Sequence, residues 1–339
     1  MRVAVLMSGG VDSSVALALM LEQGHECAGV SLLFHPDSTC CRPQDIEDAA
    51  AVAKKLGAKH IVVDVREAFS DKVIKPFVEG YSSGKTPNPC LICNAHIKFG
   101  LGLRWATSQG FDRVASGHYA RINLKDSEVF LERAKDTNKS QEYFLALVPA
   151  ENLRRAVFPL GELTKDEVRT IAKAKGLPLH EKPESQDVCF IRGDLRRFLR
   201  DHLGERPGRF LDARGKSLGH HDGYYTYTVG QRRGHGVATG KRAYVIRIEP
   251  PDVILGTREE ACSKILKLTS VNRFTELNEG DVFMVRVRYG HEPGPAVLVS
   301  DSRNEMTLEF KEPQFAIVPG QIGVLYRGDR VVAGGIIAQ

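Results

Sequence analysis

Ser8-Gly9-Gly10-Val11-Asp12-Ser13-Ser14 follows a short apolar run, Arg2–Met7. Adjacent glycines let a backbone pass close to a ligand, because no Cβ intervenes. A turn that opens onto a helix aims free N–H groups at an anion, and the helix dipole adds to the attraction. Ser8, Ser13 and Ser14 supply hydroxyl donors for phosphate oxygens. Asp12 cannot bind phosphate itself, but it can hold a Mg²⁺ that bridges the phosphates, or orient the loop. The Gly-Lys-[Ser/Thr] ending of the usual γ-phosphate loop is absent. The competing reading of this string is a serine-rich helix cap.

Thr86-Pro87-Asn88-Pro89-Cys90-Leu91-Ile92-Cys93-Asn94 is the second chemically dense stretch. Two prolines stiffen the approach, and Asn94 is expected to cap the helix that follows. Thiols separated by two residues can share one metal or bond to each other. A helix N-terminus lowers a thiol's pKa and so favours thiolate. Cys189 lies well downstream, in Pro183–Phe190. Cys90, Cys93 and Cys189 together suggest sulfur handling or a [4Fe–4S] cluster with one open iron. A structural zinc, with Cys40, Cys41 or His96 as fourth ligand, is the alternative. Cys27 reads as a strand residue of the core, Cys262 as a bystander, and the Cys40-Cys41 pair receives no role.

Positioning such loops takes a rigid frame. Strand-like Arg2–Met7, Cys27–Phe34, His60–Val65 and Arg113–Ser116 alternate with helical patterns over Val15–Gln23, Gln44–Leu56, Asp71–Tyr81 and beyond Asn94. Such alternation implies a doubly wound parallel sheet, whose ligands bind at the carboxyl ends of the strands. Thr164 and Glu167 form a capping box ahead of Val168, Ile171 and Ala172, so a helix starts there. From about Gly208 short β-rich runs take over: Tyr224–Val229, Ala243–Ile248, Val282–Val287, Ala296–Val299, Met306–Phe310 and Gly323–Tyr326. They read as a small β-rich central domain and a C-terminal β-barrel. The domains expected are 1–195, 196–260 and 261–339.

The seven cysteines are an odd number in a chain whose first residues lack a signal-peptide pattern. A disulfide framework is therefore not expected, and the cytoplasm is the expected location. No run approaches the ~20 apolar residues of a membrane helix. The net charge of +5 is modest, but its distribution is uneven. Arg192 to Arg247 holds 13 Lys or Arg against 5 Asp or Glu, a local charge of +8, while the remainder carries −3. That asymmetry points to a localised polyanion surface. With no long apolar seam, a monomer is expected.

The phosphate loop resembles that of the N-type ATP pyrophosphatases, which cleave ATP between the α and β phosphates. The chain as a whole resembles the bacterial tRNA-specific 2-thiouridylases, the MnmA family, nearly end to end. The likeness is carried by Ser8–Ser14, Thr86–Asn94, Ser116–Arg121, Gln141–Leu145, Phe158–Leu163, Val188–Ile191, Tyr227–Arg233 and Pro319–Gln321. It implies a pyrophosphatase-type (PP-loop) catalytic domain followed by the two β units. The implied activity is ATP-dependent 2-thiolation of the wobble uridine in tRNAs for Lys, Glu and Gln. By position, Leu6, Met7, Ser8, Gly9, Gly10, Val11, Asp12 and Ser13 would hold the ATP phosphates. Leu32 would line the adenine side and Gly117 would complete the nucleotide site. Asn88, Pro89 and Cys90 would meet the target base, with His118 and Gln321 near it. Lys139, Ser140, Gln141, Arg288 and Tyr289 would contact tRNA. Cys93 matches the family nucleophile and Cys189 the cysteine that carries a persulfide.

In many members of that family Asp stands where this chain has Cys90. Two sulfur routes are therefore open: a persulfide on Cys189 resolved by Cys93, or a [4Fe–4S] cluster on Cys90, Cys93 and Cys189. The sulfur donor would be a persulfide carrier protein or sulfide. Arg192, Arg196, Arg197, Arg200, Arg232 and Arg233 are candidates for phosphate contacts. Two rival readings remain: another adenylating PP-loop synthetase or ligase, and a non-catalytic RNA-binding zinc module. The first needs no cysteine triad, and the second needs no phosphate loop.

Overall fold

Strand β1 (Arg2–Leu6) is short and buried on both faces over Val3, Ala4 and Val5. Strands of this kind need neighbours on both edges and helices on both faces. β2 (Glu26–Leu33) and β3 (Lys59–Asp64) pair on one side; β4 (Arg113–Ser116) pairs on the other. The computed structural model describes residues 1–35, 42–125, 128–177, 188–237 and 242–338. Among these no helix is long and apolar enough to cross a membrane. Cys40, Cys41 and Pro183–Asp187 lie outside the described residues.

Helix α1 (Val11–Glu22) starts four residues before the expected Val15. Gly10 supplies the extended residue ahead of it, and Val11 is already buried in the core. The phosphate loop is thus only Met7–Gly10, and Val11–Ser14 form the first helical turn. α2 (Pro43–Lys55) opens on proline and buries Ala49, Val52 and Ala53. The expected helix Asp71–Tyr81 is longer: Arg66–Phe69, Ser70–Ile74 and Lys75–Ser82 run on, with a π-helical middle. The thiol-bearing helix is built the same way, from Pro89–Ile92, the π-helical Cys93–Gly102 and Leu103–Ser108. Its cap is Asn88 and not Asn94. Asn88 Oδ1 accepts the Cys90 N–H at 3.1 Å, whereas Asn94 is buried one turn in and donates to the Phe144 carbonyl at 2.9 Å.

Beyond β4 the chain makes a hairpin, β5 (Arg121–Lys125) and β6 (Glu128–Glu132), then the two-residue strand β7 (Ala156–Val157). The parallel sheet has the order β3-β2-β1-β4-β7. Strand order reverses at β1, so the Met7–Gly10 loop sits at the switch point where such sheets bind ligands.

The middle segment folds as an antiparallel and parallel mixture of β8 (Gly208–Asp212), β9 (Ser217–His221), β10 (Tyr244–Glu249) and β11 (Asp252–Gly256), in the order β10-β11-β8-β9. The expected strand Tyr224–Val229 is instead a 3₁₀ turn, Tyr224–Thr226. Adjacent Tyr224 and Tyr225 are both buried, which an alternating strand cannot arrange. Their hydroxyls donate to the carbonyls of Ser82 (2.7 Å) and Gly204 (2.6 Å).

The last third is a barrel of β12 (Cys262–Arg273), β13 (Val282–Arg286), β14 (Gly294–Asp301), β15 (Glu305–Phe315), β16 (Ile322–Arg327) and β17 (Arg330–Ile337). β17 pairs back onto β12 and closes it. Leu268, Phe283, Val285, Leu298, Leu308 and Phe310 fill its interior. The β5–β6 hairpin adds to this barrel's sheet through β6 and β17, a join across the chain that no local pattern announces.

A buried carboxylate marks the seam between catalytic unit and barrel. Glu142 is fully buried and accepts from Tyr326 Oη (3.0 Å) and from the Ser140 hydroxyl, with Arg133 and Arg286 at 3.8 and 3.7 Å. Both guanidinium groups also lie over the Tyr326 ring. Burial first, and then the Glu142 charge, pushes the Tyr326 hydroxyl well above its ordinary value. Removing the carboxylate would strand two cations near one buried ring. Glu142→Leu is expected to cost about 3–5 kcal/mol in urea unfolding, with Glu142→Gln costing less; equal stability of all three proteins would mean that the seam does not depend on this charge.

Candidate functional site

Gly9 has φ +67°, and a Cβ there would lie 2.3 Å from the Asp45 carbonyl oxygen, so this turn admits only glycine. No side-chain hydrogen bond caps α1. The Ser13 and Ser14 hydroxyls both donate to the Gly10 carbonyl, at 3.1 and 2.9 Å, and the Ser8 N–H points to Ser13 Oγ at 3.3 Å. These bonds pre-form the loop. Gly117 explains itself similarly: a Cβ there would stand 2.7–3.0 Å from the backbone and Cβ of Asp12 and the Ser13 nitrogen. The end of β4 therefore abuts the first turn of α1. Leu32 is buried in β2, its methyls under Gly102 of the thiol-bearing helix.

Asp12 is held from two sides. Lys165 Nζ donates to both carboxylate oxygens at 2.7 and 2.8 Å, and Tyr119 Oη donates at 2.8 Å. Lys165 is the first residue of the capped helix Lys165–Ala174; its side chain is 10% exposed against 30% for Asp12. Its backbone N–H binds Asp136 Oδ2 at 3.0 Å, and Asp136 also accepts from the Lys139 N–H. Gln141 closes the circuit. Its N–H donates to the Tyr119 carbonyl at 2.7 Å, and its Oε1 accepts the Tyr119 N–H at 3.0 Å. One ring of bonds thus joins the phosphate loop to the 139–141 segment. Nothing in the sequence marks Lys165 or Asp136 as partners of the loop: Lys165 stands between the capping residues Thr164 and Glu167, and Tyr119 is signalled only by its place in the Ser116–Arg121 string.

The thiols are arranged unequally. Cys90 is exposed; Cys93, one turn on, is buried; Cys189 is partly buried against the same apolar cluster as Cys93. Phe190 beside it packs on Phe69, Phe77 and Phe198. Among the described residues no three His, Cys, Asp or Glu side chains gather as a metal-binding group. Cys90 and Cys93 stand three residues apart at the start of one helix and so share a face of it, the first at the surface and the second in the core.

His118 follows Gly117. Its Nδ1 lies 2.7 Å from Ser116 Oγ, and its ring is wedged between Phe99 and Phe158 at 5.8 and 5.9 Å. Phe99 belongs to the Cys93 helix, so His118 couples that helix to the phosphate loop. Burial, aided by Lys98, pushes His118 well below its ordinary value.

The barrel reaches the thiol loop directly. Gln321 Nε2 donates to the Thr86 carbonyl at 2.7 Å, and the Thr86 N–H donates to Pro319 at 2.8 Å. Gly320 fits so closely that a Cβ would lie 3.1 Å from Thr86 and Pro87 backbone. Thr228 of the middle segment meets Thr86 hydroxyl to hydroxyl at 3.1 Å. Tyr289 is exposed, with its ring 4.6 Å from Phe144, and Arg288 beside it is exposed too. Ser140 is buried, its hydroxyl committed to Glu142 and the Ala134 N–H. Arg196, Arg197, Arg200, Arg232 and Arg233 are exposed; Arg196 approaches Gly234, so the helix Leu195–Leu203 and the 231–234 turn present one basic face.

Two outcomes follow from this geometry. Lys165→Met removes a charge-assisted contact to Asp12 worth about 1.5–3 kcal/mol, so the Kd of the loop for a nucleoside triphosphate should rise roughly ten- to hundredfold, with Lys165→Arg milder; calorimetric titration with ATP measures it, and an unchanged Kd would remove Lys165 from the candidate site. His118 is neutral in the fold, while its unfolded form takes up a proton below about pH 6.5. The unfolded state then binds more protons, so this residue lowers stability as pH falls through that value. In urea midpoints at pH 7.5 and 5.5, His118→Gln should show a smaller acid loss than the parent chain; an equal loss would leave His118 without that role.

Comparison with known proteins agrees with this architecture. The family models described as tRNA methyl transferase HUP domain, tRNA methyl transferase PRC-barrel domain and aminomethyltransferase beta-barrel domain match residues 1–193, 196–255 and 263–337. The tRNA-specific 2-thiouridylase MnmA of Carboxydothermus hydrogenoformans is 43% identical, covering 99% of this chain and 97% of its own. That of Aquifex aeolicus is 41% identical, covering 100% and 99%. Among solved structures, the U34-tRNA thiolase NcsA from Methanococcus maripaludis covers 60% of this chain and 65% of its own at 19% identity and TM-score 0.36, a likeness too slight to bear on the site. At more than 40% identity over essentially its whole length, the chain belongs to the tRNA-specific 2-thiouridylase family, MnmA.

Proposed function

We propose that this chain activates the C2 oxygen of a wobble uridine in tRNA (Lys, Glu or Gln) with ATP and replaces it with sulfur. The observation that carries the reading is the ring Asp12–Lys165–Asp136–Lys139–Gln141–Tyr119, which fastens an adenylating phosphate loop to a candidate RNA-contacting segment. We take 1–195 as the catalytic unit, 196–260 as a central unit that helps hold tRNA, and 261–339 as the barrel.

In the first step the uridine O2 attacks the α-phosphorus of ATP, and pyrophosphate leaves. Residues 6–13 and Gly117 cradle the phosphates, and Leu32 marks the adenine side. Asp12 is the loop's carboxylate for Mg²⁺, which when bound neutralises the departing pyrophosphate. Lys165 and Tyr119 fix that carboxylate, which supports an orienting role as well. Asn88, Pro89 and Cys90 face the target base, with His118 behind them and Gln321 pinning the loop. Lys139, Gln141, Arg288, Tyr289 and the Arg196–Arg233 face hold the RNA, with Ser140 contributing through its backbone. The base must leave its stack to react.

In the second step the terminal sulfur of a persulfide on Cys189 attacks C2, and AMP leaves. Cys93 thiolate then attacks the Cys189 sulfur. The sulfur–sulfur bond to the base breaks, the 2-thiocarbonyl forms, and a Cys93–Cys189 disulfide remains for a dithiol reductant to reopen. Cys93 and Cys189 border one apolar cluster, which suits this route.

The test is an anaerobic assay with metal-free protein, unmodified tRNA, ATP, Mg²⁺ and a persulfide donor, scoring 2-thiouridine by mass. Product is expected from the parent chain and only background from Cys93→Ser and Cys189→Ser. Full activity of either variant would refute the persulfide route, and absence of product from the parent with a proven donor would refute the substrate.

A further inference from the structure

The helix that carries Cys93 borders a second, unassigned site on its outer side. A surface cavity of about 270 Å³ opens between Ser70–Ile74, residues 95–104 and the stretch 147–152. Lys72, His96 and Arg104 line it, with Asn152 as the other polar side chain, and no carboxylate does so among the described residues. All three side chains are exposed, and among the described residues none is engaged in a hydrogen bond or ion pair. The nearby Asp71 is already taken by Lys75 at 2.7 Å. The Arg104 guanidinium folds over Gly100, where a Cβ would lie 3.8 Å from Nη1 and 2.7 Å from the Ala95 carbonyl oxygen. The site needs that glycine for its shape.

Like charges gathered with no counter-charge repel one another and attract an anion. Burial, then Lys72 and Arg104, lower the proton affinity of His96. An arriving anion would reverse that.

The place of the cavity wall in the chain points to which anion. Leu147, Pro149 and Asn152 continue the segment that begins at Lys139. Within it Phe144 accepts from Asn94 of the thiol-bearing helix and stacks on Tyr289. The cavity wall therefore continues, along the chain, the segment that holds Lys139 and Gln141 and that touches Tyr289 through Phe144. We propose that it seats a phosphodiester of the tRNA backbone, held by Lys72, Arg104 and His96. Contacts from lysine and arginine to phosphate oxygens set register and not sequence. This inference rests on the tRNA reading above.

The test is binding of unmodified tRNA to full-length protein across a salt series, for the parent and for the Lys72→Ala/Arg104→Ala double variant, with thermal melting as the check on folding. The double variant should bind about tenfold more weakly, and the slope of log K against log salt should fall by about 1.5. In the parent, tRNA should raise the His96 titration seen by NMR, and the double variant should lose that response. Unchanged affinity and slope overturn the proposal. So does a His96 response to inorganic phosphate but not to tRNA, which would make this a free-anion site. Variants that keep tRNA affinity but slow only a protein persulfide donor would assign the cavity to an acidic partner and likewise overturn it. If the parent binds no tRNA, the functional reading itself fails; a parent that binds and thiolates beside an unaffected variant sinks only the cavity.

Discussion

The phosphate-loop end of the structure is organised around one carboxylate. Asp12 sits in the first turn of α1, where the helix dipole favours it, yet also where an incoming triphosphate would repel it. Lys165 and Tyr119 resolve that conflict by fixing and partly neutralising the group. Each is anchored in turn, Lys165 through Asp136 and Tyr119 through Gln141, and both anchors lead to the same loop. Loosening any member moves both the phosphate loop and the segment expected to meet RNA. That is the physical sense in which the proposed adenylation and RNA contacts would belong to one site.

A second constraint acts on the thiol loop. Thr86 is bonded by Pro319 and Gln321 of the barrel and by Thr228 of the middle segment. The prolines at 87 and 89 limit the backbone further. Three distant parts of the chain therefore decide where Cys90 and Cys93 stand. Glu142 serves the same purpose a short way along, drawing Arg133 and Arg286 from the two units against Tyr326. Desolvation offsets much of the attraction in a buried ion group of this kind, so removing one partner costs more than the group's presence gains.

Charge is distributed to match. The basic excess in 192–247 is only partly internal: Arg209 pairs with Asp252 and Arg247 with Glu249, while Arg196, Arg197, Arg200, Arg232 and Arg233 stay exposed. Exposed guanidinium groups suit phosphate recognition, because their planar forks bind two oxygens at once. The exposed aromatic ring of Tyr289 beside Arg288 adds a surface on which a base can stack.

The parallel sheet, the phosphate loop, the capping box at Thr164 and the later barrel were all legible in the sequence, because each rests on local periodicity or turn chemistry. Family likeness supplied candidate roles for Cys93, Cys189 and the tRNA contacts. Local pattern misled at Asn94 and at Tyr224–Val229, where burial and a distant carbonyl outweighed propensity. The β5–β6 hairpin's union with the barrel, the Lys165–Asp12 pair, the burial of Ser140 and the divided environments of Cys90 and Cys93 left no mark in one dimension. Those features join residues up to about two hundred positions apart, so only the packed chain, where burial demands a partner for every polar group, could decide them.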